Sequence, residues 1–285
     1  MPAWPGGSAA TKRGNVAAMP SHLRLDRDGF IATVSLLGAT MPPMLFGELG
    51  ELFTSLGAEP TLRAVILRGD AKAFSHGLDL PAAFASWGPT LTGGGLAASR
   101  TELWNLIRGI QASVTAVASC PVPVIAAIHG WCIGGGVDLV SACDLRICTA
   151  DARFSVRETK VAMVADLGSL QRLPLVIGDA ATRELALTGK TIDASRALAL
   201  GLVSEVVADR AALEEAARAL AAEIASNPPL VVRGVKEVLD QTTRRQVADG
   251  LERVAMWNSA FLPSEDLGEA AAAFAAKRPP VFNGR

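Results

Sequence analysis

Three acidic residues, Asp138, Glu158 and Asp166, follow a run of glycines, Gly134-Gly135-Gly136, in otherwise apolar sequence. An ionised carboxylate is costly to bury unpaired, so apolar segments rarely carry acids without a reason. Consecutive glycines let backbone amides approach an oxyanion closely, and neighbouring carboxylates can take up and return protons. Together these residue types suit an enzyme that forms an enolate-like anion, holds its oxygen on amides and moves protons around it.

Two segments could supply the amides. One is Ala73-Phe74-Ser75-His76-Gly77-Leu78-Asp79-Leu80, and the other runs from His129 through Gly134-Gly135-Gly136 to Asp138. Each follows a short apolar run with strand character, Ala64 to Leu67 and Val122 to Ile128. Open α/β sheets place ligands at such strand ends. The second segment also opens a helix, whose first amides and dipole favour an anion. A glycine triplet alone is more often a device for close backbone approach. It lacks the spacing of a dinucleotide fingerprint, and no Gly-Lys-Ser/Thr follows it.

Each acid has a plainer alternative. Glu158 could pair on the surface with Arg157 or Lys160, Asp166 could cap a helix starting near Leu167, and Asp144 reads as structural. His22 and His129 lack metal-ligand spacing. Ser75 and Ser169 sit in no nucleophile-elbow sequence.

The elements that must position these groups alternate between strand and helix. His22 to Leu37 reads as two strands joined at Arg27-Asp28-Gly29, and Leu45 to Leu56 as a helix stopped by Gly57. Ser86 to Ser99, rich in Gly, Pro and Thr, reads as a mobile loop, and Glu102 to Ala118 as a helix. A helix from Gly135 to Cys143 and a strand from Leu145 to Cys148 follow the glycine turn. Strands apolar on both faces argue for a parallel or mixed sheet covered by helices. Beyond Asp179 the chain is helical and alanine-rich, with helices over Ser195–Leu200, Arg210–Ala225, Leu230–Leu239 and Val247–Phe261, and a last one ending near Lys277.

At 285 residues the chain can bury a full core, and 50% hydrophobic with 19% charged residues is ordinary for a globular enzyme. A net charge of -1 provides no bulk field for nucleic acid or an anionic membrane, and no apolar run is long enough to span a bilayer. The four cysteines show no CxxC spacing and read as buried free thiols of a reducing cytoplasm. Residues 1–20 read as a disordered extension, residues 21–205 as the α/β core carrying the site, and residues 206–285 as a helical C-terminal region.

The two amide segments, in this order and at this separation, resemble those of the crotonase superfamily, the enoyl-CoA hydratases and isomerases. The resemblance runs from about His22 to the C-terminus. It implies an α/β fold of repeated ββα turns in a spiral, with C-terminal helices used in trimers or paired trimers. It implies an acyl-CoA thioester substrate and no metal or redox cofactor. By the same resemblance, the amides of His76 and Gly135 form the oxyanion hole. The order Asp138, Glu158, Asp166, with Gly136-Val137-Asp138-Leu139-Val140-Ser141-Ala142-Cys143-Asp144 and the run from Ala165 to Pro174, is similar to the 3,5-to-2,4 dienoyl-CoA isomerases.

That branch would make Asp166 the base at C2 of the acyl chain and Glu158 the acid at C6, with Asp138 completing the site. Two carboxyls spaced along an extended chain, with pKa values raised by an apolar pocket, suit that proton transfer. Lys72, Phe274 and Lys277 match family positions that reach the CoA. The stretch Leu36 to Pro43 departs from the pattern, lacking the basic residues that many relatives carry there. A 2-enoyl-CoA hydratase using Asp138 and Glu158 is the nearest alternative, and a non-catalytic scaffold or RNA-binding member of the fold is the second.

Overall fold

A computed structural model describes residues 22–93 and 95–285, so the expected N-terminal extension at 1–20 lies outside the described residues. The chain opens with a hairpin of β1 (Leu23–Asp28) and β2 (Ile31–Leu36), turned at Gly29 with φ 54°. Helix α1 (Pro43–Gly57) starts on a proline and buries Leu45, Phe46, Leu49, Phe53 and Leu56, one stripe at helical spacing. Strand β3 (Ala64–Gly69) leads through α2 (Leu80–Leu91) and α3 (Ala97–Ala118) to β4 (Val124–Ile128). Two compact turns follow. The first holds β5 (Trp131–Ile133) and α4 (Gly135–Ser141), the second β6 (Leu145–Thr149), β7 (Arg153–Ser155) and a 3-10 turn over Glu158–Val161. Helices α5 (Ser169–Ile177) and α6 (Asp179–Thr188), strand β8 (Ile192–Asp193), α7 (Ala194–Leu200) and β9 (Glu205–Val207) complete the mixed part. The last four helices are α8 (Arg210–Ser226), α9 (Pro229–Gln241), α10 (Arg244–Phe261) and α11 (Glu265–Ala275).

The main sheet has the order β1-β2-β3-β4-β6-β9, parallel throughout except for the opening hairpin; β5, β7 and β8 form a second, smaller sheet. Every residue of β4 is buried, as an unbroken apolar run at the centre of a parallel sheet requires. Alternate side chains serve opposite faces. Val65, Leu67, Val124 and Ala126 pack into the large core with α1 and the end of α3, while Ala64, Ile66, Ile125 and Ala127 meet Leu213, Ala217 and Ala221 of α8. Helix α8 therefore covers the sheet, and the boundary expected at 205/206 falls inside β9.

The loop expected over Ser86–Ser99 is corrected. Helix α2 continues to Leu91 and α3 begins at Ala97. Asp79 caps α2 by accepting from Ala82 N–H at 3.0 Å, and Trp87 lies 6.4 Å from the Phe46 ring of α1. Packing thus outweighs the low helix propensity of Gly88 and Pro89. Asp144 is structural, as expected. Its Oδ2 accepts from Val124 N–H at 2.7 Å and from Lys236 Nζ of α9 at 2.6 Å. All four cysteines are buried and free, and no helix among the described residues is long and apolar enough to cross a membrane.

Candidate active site

The two amide segments are stitched together by backbone bonds. Phe74 N–H donates to His129 O at 2.8 Å, Ser75 N–H to Trp131 O at 2.9 Å, and Ile133 N–H to Ser75 O at 2.9 Å. The glycines are what permit this closeness. A Cβ on Gly77, at φ 84°, would lie 2.9 Å from Ile133 O, and one on Gly136 would lie 2.9 Å from Ser75 Cβ. Gly134, at φ 53°, turns the chain from β5 into α4; its N–H is bonded to Ser155 O, and its carbonyl accepts from Val137 and Asp138. Gly135 N–H, at the first turn of α4, is left without a protein partner among the described residues.

The other expected donor is corrected by two residues. His76 N–H donates to Ala39 O at 2.6 Å and is not free to meet a ligand. Leu78 N–H has no such partner. The parallel bridge of Leu78 with Met41 uses the Gly77 carbonyl and the Asp79 amide instead. Leu78 N lies 3.9 Å from where a Cβ on Gly135 would project, so the Leu78 and Gly135 amides are the neighbouring open pair.

The three acids, from different elements, lie close enough for their charges to act on one another. Asp138, on α4 and 1% exposed, accepts from Ser169 N–H at 2.6 Å. Glu158 opens the 3-10 turn, and its Oε1 lies 3.1 Å from the Cβ position of Gly134, the residue before Gly135. Its Oε2 is buried with no hydrogen-bond partner. Asp166 precedes α5 without capping it, since Gly168 holds the cap position. Asp166 Oδ2 accepts from Asn258 Nδ2 at 2.7 Å, and its carbonyl accepts from Gln111 Nε2 at 2.7 Å. No ion pair among the described residues joins Glu158 to Arg157 or Lys160.

Burial raises the pKa of all three acids, and the charge of Asp138 adds to the rise at Glu158 and Asp166. Glu158 is pushed up to about 8, first by burial and then by the charge of Asp138. Asp166 is pushed up to about 7 by burial, against the Asn258 hydrogen bond, with Asp138 adding to the rise. Asp138 is also raised by burial, opposed by the Ser169 amide. The arrangement thus holds protonated and ionised carboxyls together near neutral pH beside two open amides.

The residues expected to meet CoA are dispersed. Lys72 is exposed on the loop between β3 and α2, and Lys277 is exposed past the end of α11. Phe274 of α11 lines an apolar cavity of about 240 Å³ with Leu80, Pro81 and Phe84 of α2 and with Val161 and Met163 beyond Glu158. A larger cavity, about 940 Å³, lies between α3, α5, α9 and α10, and none of the three acids lines it. No group of three His, Cys, Asp or Glu among the described residues could hold a metal ion.

Sequence reasoning missed the Leu78 amide, Gln111 and Asn258. The two amide side chains did leave a signal. Gln111 follows Leu103 and Ile107 on the buried face of α3, and Asn258 follows Leu251, Val254 and Ala255 on that of α10. A polar residue at core spacing needs a polar partner.

Known proteins resemble this chain across most of its length. The family model for enoyl-CoA hydratase/isomerase matches residues 39–285. The chain is 41% identical over 270 residues to the mitochondrial Delta(3,5)-Delta(2,4)-dienoyl-CoA isomerase of Dictyostelium discoideum, covering 92% of this chain and 91% of that one. It is also 41% identical to the peroxisomal enzyme of the same name from Arabidopsis thaliana, covering 95% of each. A crystal structure of an enoyl-CoA hydratase/isomerase from Pseudoalteromonas atlantica T6c superposes with a TM-score of 0.80 at 24% identity, over 92% of this chain and all of that one, and shares the fold. With a family match across most of its length and the two sheets and paired amides in place, the chain belongs to the enoyl-CoA hydratase/isomerase family.

Proposed function

We propose that the protein isomerises 3,5-dienoyl-CoA thioesters to their 2,4-conjugated forms. The observation that carries this reading is the pair Glu158 and Asp166, two buried carboxyls from different elements with pKa values raised to about 8 and about 7, Glu158 standing against the Gly134 turn. The thioester oxygen would sit on Leu78 N–H and Gly135 N–H, which stabilise the charge it gains as the dienolate forms. One carboxylate removes a proton from C2. The electrons shift through the diene, and the other carboxyl delivers a proton to C6. One C–H bond breaks and one forms with no net redox change, so the reaction calls for no cofactor.

Reach favours dividing the two acids in the sense opposite to that expected from sequence. A proton can be moved only by a group within hydrogen-bond distance, and acidity ranks second to that. Glu158 stands against Gly134, one residue before the Gly135 donor, and C2 is the carbon next to the thioester carbonyl that donor would hold. Asp166, tied to Asn258 of α10, is then the acid for the distal C6. Asp138 would serve from behind. It is almost wholly buried and committed to the Ser169 amide, which also argues against its activating a water as a hydratase requires.

Assembly through the C-terminal helices belongs to the same reading, supported by apolar side chains exposed on α9 and α10, among them Val235, Val238, Trp257 and Phe261. Four buried free cysteines suit a reducing compartment such as the cytoplasm. The test is the ultraviolet absorbance of the conjugated dienoyl thioester after mixing protein with 3,5-octadienoyl-CoA. The expected result is a rise that Asp166→Asn slows by about a hundredfold or more. No rise, together with hydration of crotonyl-CoA, would overturn the isomerase reading in favour of a hydratase.

A further inference from the structure

Asp166 is held at both ends by buried amide side chains that touch no other acid of the site. Asn258, 2% exposed on α10, donates from Nδ2 to Asp166 Oδ2 at 2.7 Å and to Val164 O at 2.9 Å. Gln111, also 2% exposed, reaches across from α3 and donates from Nε2 to Asp166 O at 2.7 Å and to Leu251 O of α10 at 2.9 Å. The Gln111 carbonyl oxygen accepts in turn from Arg108 at 3.2 Å. Burying two amide side chains is costly unless each is satisfied, and the groups they satisfy converge on this one acid and on the helix that carries Asn258.

The consequence is directional. A carboxyl has two oxygens, and Asn258 occupies one of them. With Oδ2 taken by a donor, the proton of the neutral acid has its place on Oδ1, the oxygen left to face a substrate. Meanwhile Gln111 fixes the backbone from which that side chain extends, so the direction of Oδ1 is set by α3 and α10 together. Glu158 is held differently: its Oε2 has no hydrogen-bond partner, and the amides that bond its carboxyl are those of its own turn, Glu158 and Arg157.

We infer that Asn258, backed by Gln111, is a positioning residue that dedicates Asp166 to one end of the proton transfer. This rests on the isomerase reading above. Removing the Asn258 donor leaves the thioester site and Glu158 untouched, so proton removal at one carbon continues while delivery at the other falters. A substrate carbanion that cannot be protonated at the far carbon returns to the starting diene.

The test is turnover of 3,5-octadienoyl-CoA in D2O, reading deuterium in C2 of recovered substrate and in C6 of product by mass spectrometry. Asn258→Leu, similar in volume, is expected to lower kcat by about ten- to a hundredfold with KM nearly unchanged, the range for loss of a hydrogen bond to a charged group. Deuterium at C2 of recovered substrate should persist or rise. Asn258→Ser, a smaller change, serves as the second variant should the leucine form fail to fold, with the same split expected. Loss of deuterium at C6 of product with exchange at C2 of substrate retained supports the clamp. Exchange at both carbons falling together, or an unchanged kcat, overturns it. A wild-type protein that turns over no diene and exchanges neither carbon overturns the isomerase reading itself, and the clamp with it.

Discussion

Glu158 and Asp166 share one environment and differ in their partners. Nothing bonds Oε2 of Glu158, whereas Asn258 bonds Oδ2 of Asp166; burial raises the two carboxyls to about 8 and about 7, the Asn258 bond opposing the rise at Asp166. Proton transfer between two carbons needs one of them ionised and the other protonated. Activity should therefore rise with pH as the first proton leaves the pair and fall as the second leaves. The expected kcat/KM profile is a bell with its maximum between the two values, and its limbs belong to the pair and to Asp138 behind it rather than to single residues. A profile still rising well above that window would remove the protonated acid from the mechanism.

The elements contribute closeness. The loop from β3 to α2 reaches the β5–α4 turn only because Gly77 can hold φ 84° with the carbonyl of Ile133 where a side chain would begin. Gly77→Ala imposes both a left-handed backbone and a contact with backbone, a cost of about 1–2 kcal/mol for the conformation alone. The shift needed to relieve it moves Leu78 N–H away from Gly135. The expected outcome is a fall in kcat of about ten- to a hundredfold with a modest drop in melting temperature, measured on the same preparation. Full activity would place the oxyanion donors elsewhere. Helix α2 makes the complementary point. Its Gly88 and Pro89 argue for a loop, yet the Asp79 cap and the packing of Trp87 near Phe46 extend the helix to Leu91.

At the scale of the whole molecule, α9 is tied to the sheet by one buried pair across the large cavity. Lys236, 7% exposed, meets Asp144, which also accepts the first amide of β4. Breaking such a pair from one side leaves a buried charge unpaired, so Asp144→Ala should cost about 3 kcal/mol in urea unfolding. Lys236→Met, which removes the charge and keeps an unbranched apolar chain, should cost less. Equal losses would mean that the charge of Lys236 is compensated by other groups.

The sequence by itself determined β1, β2, β3, β4 and β6 of the main sheet and the helical character of α1. Val122 to Ile128 is apolar without interruption, and α1 repeats its apolar residues at helical spacing, patterns that depend on neighbours a few residues away. It also marked the three acids and the two amide segments, because a carboxylate or a glycine triplet is out of place in an apolar run. Tertiary structure alone decided which amides are open. His76 and Leu78 differ by two residues, and only the approach of Ala39 removes one of them from use. It likewise decided that α8 belongs to the sheet and that Asn258 and Gln111, far apart in the chain, meet at Asp166. Local pattern records which way a residue faces; which backbone or side chain waits there depends on how distant segments pack, and no single segment encodes that.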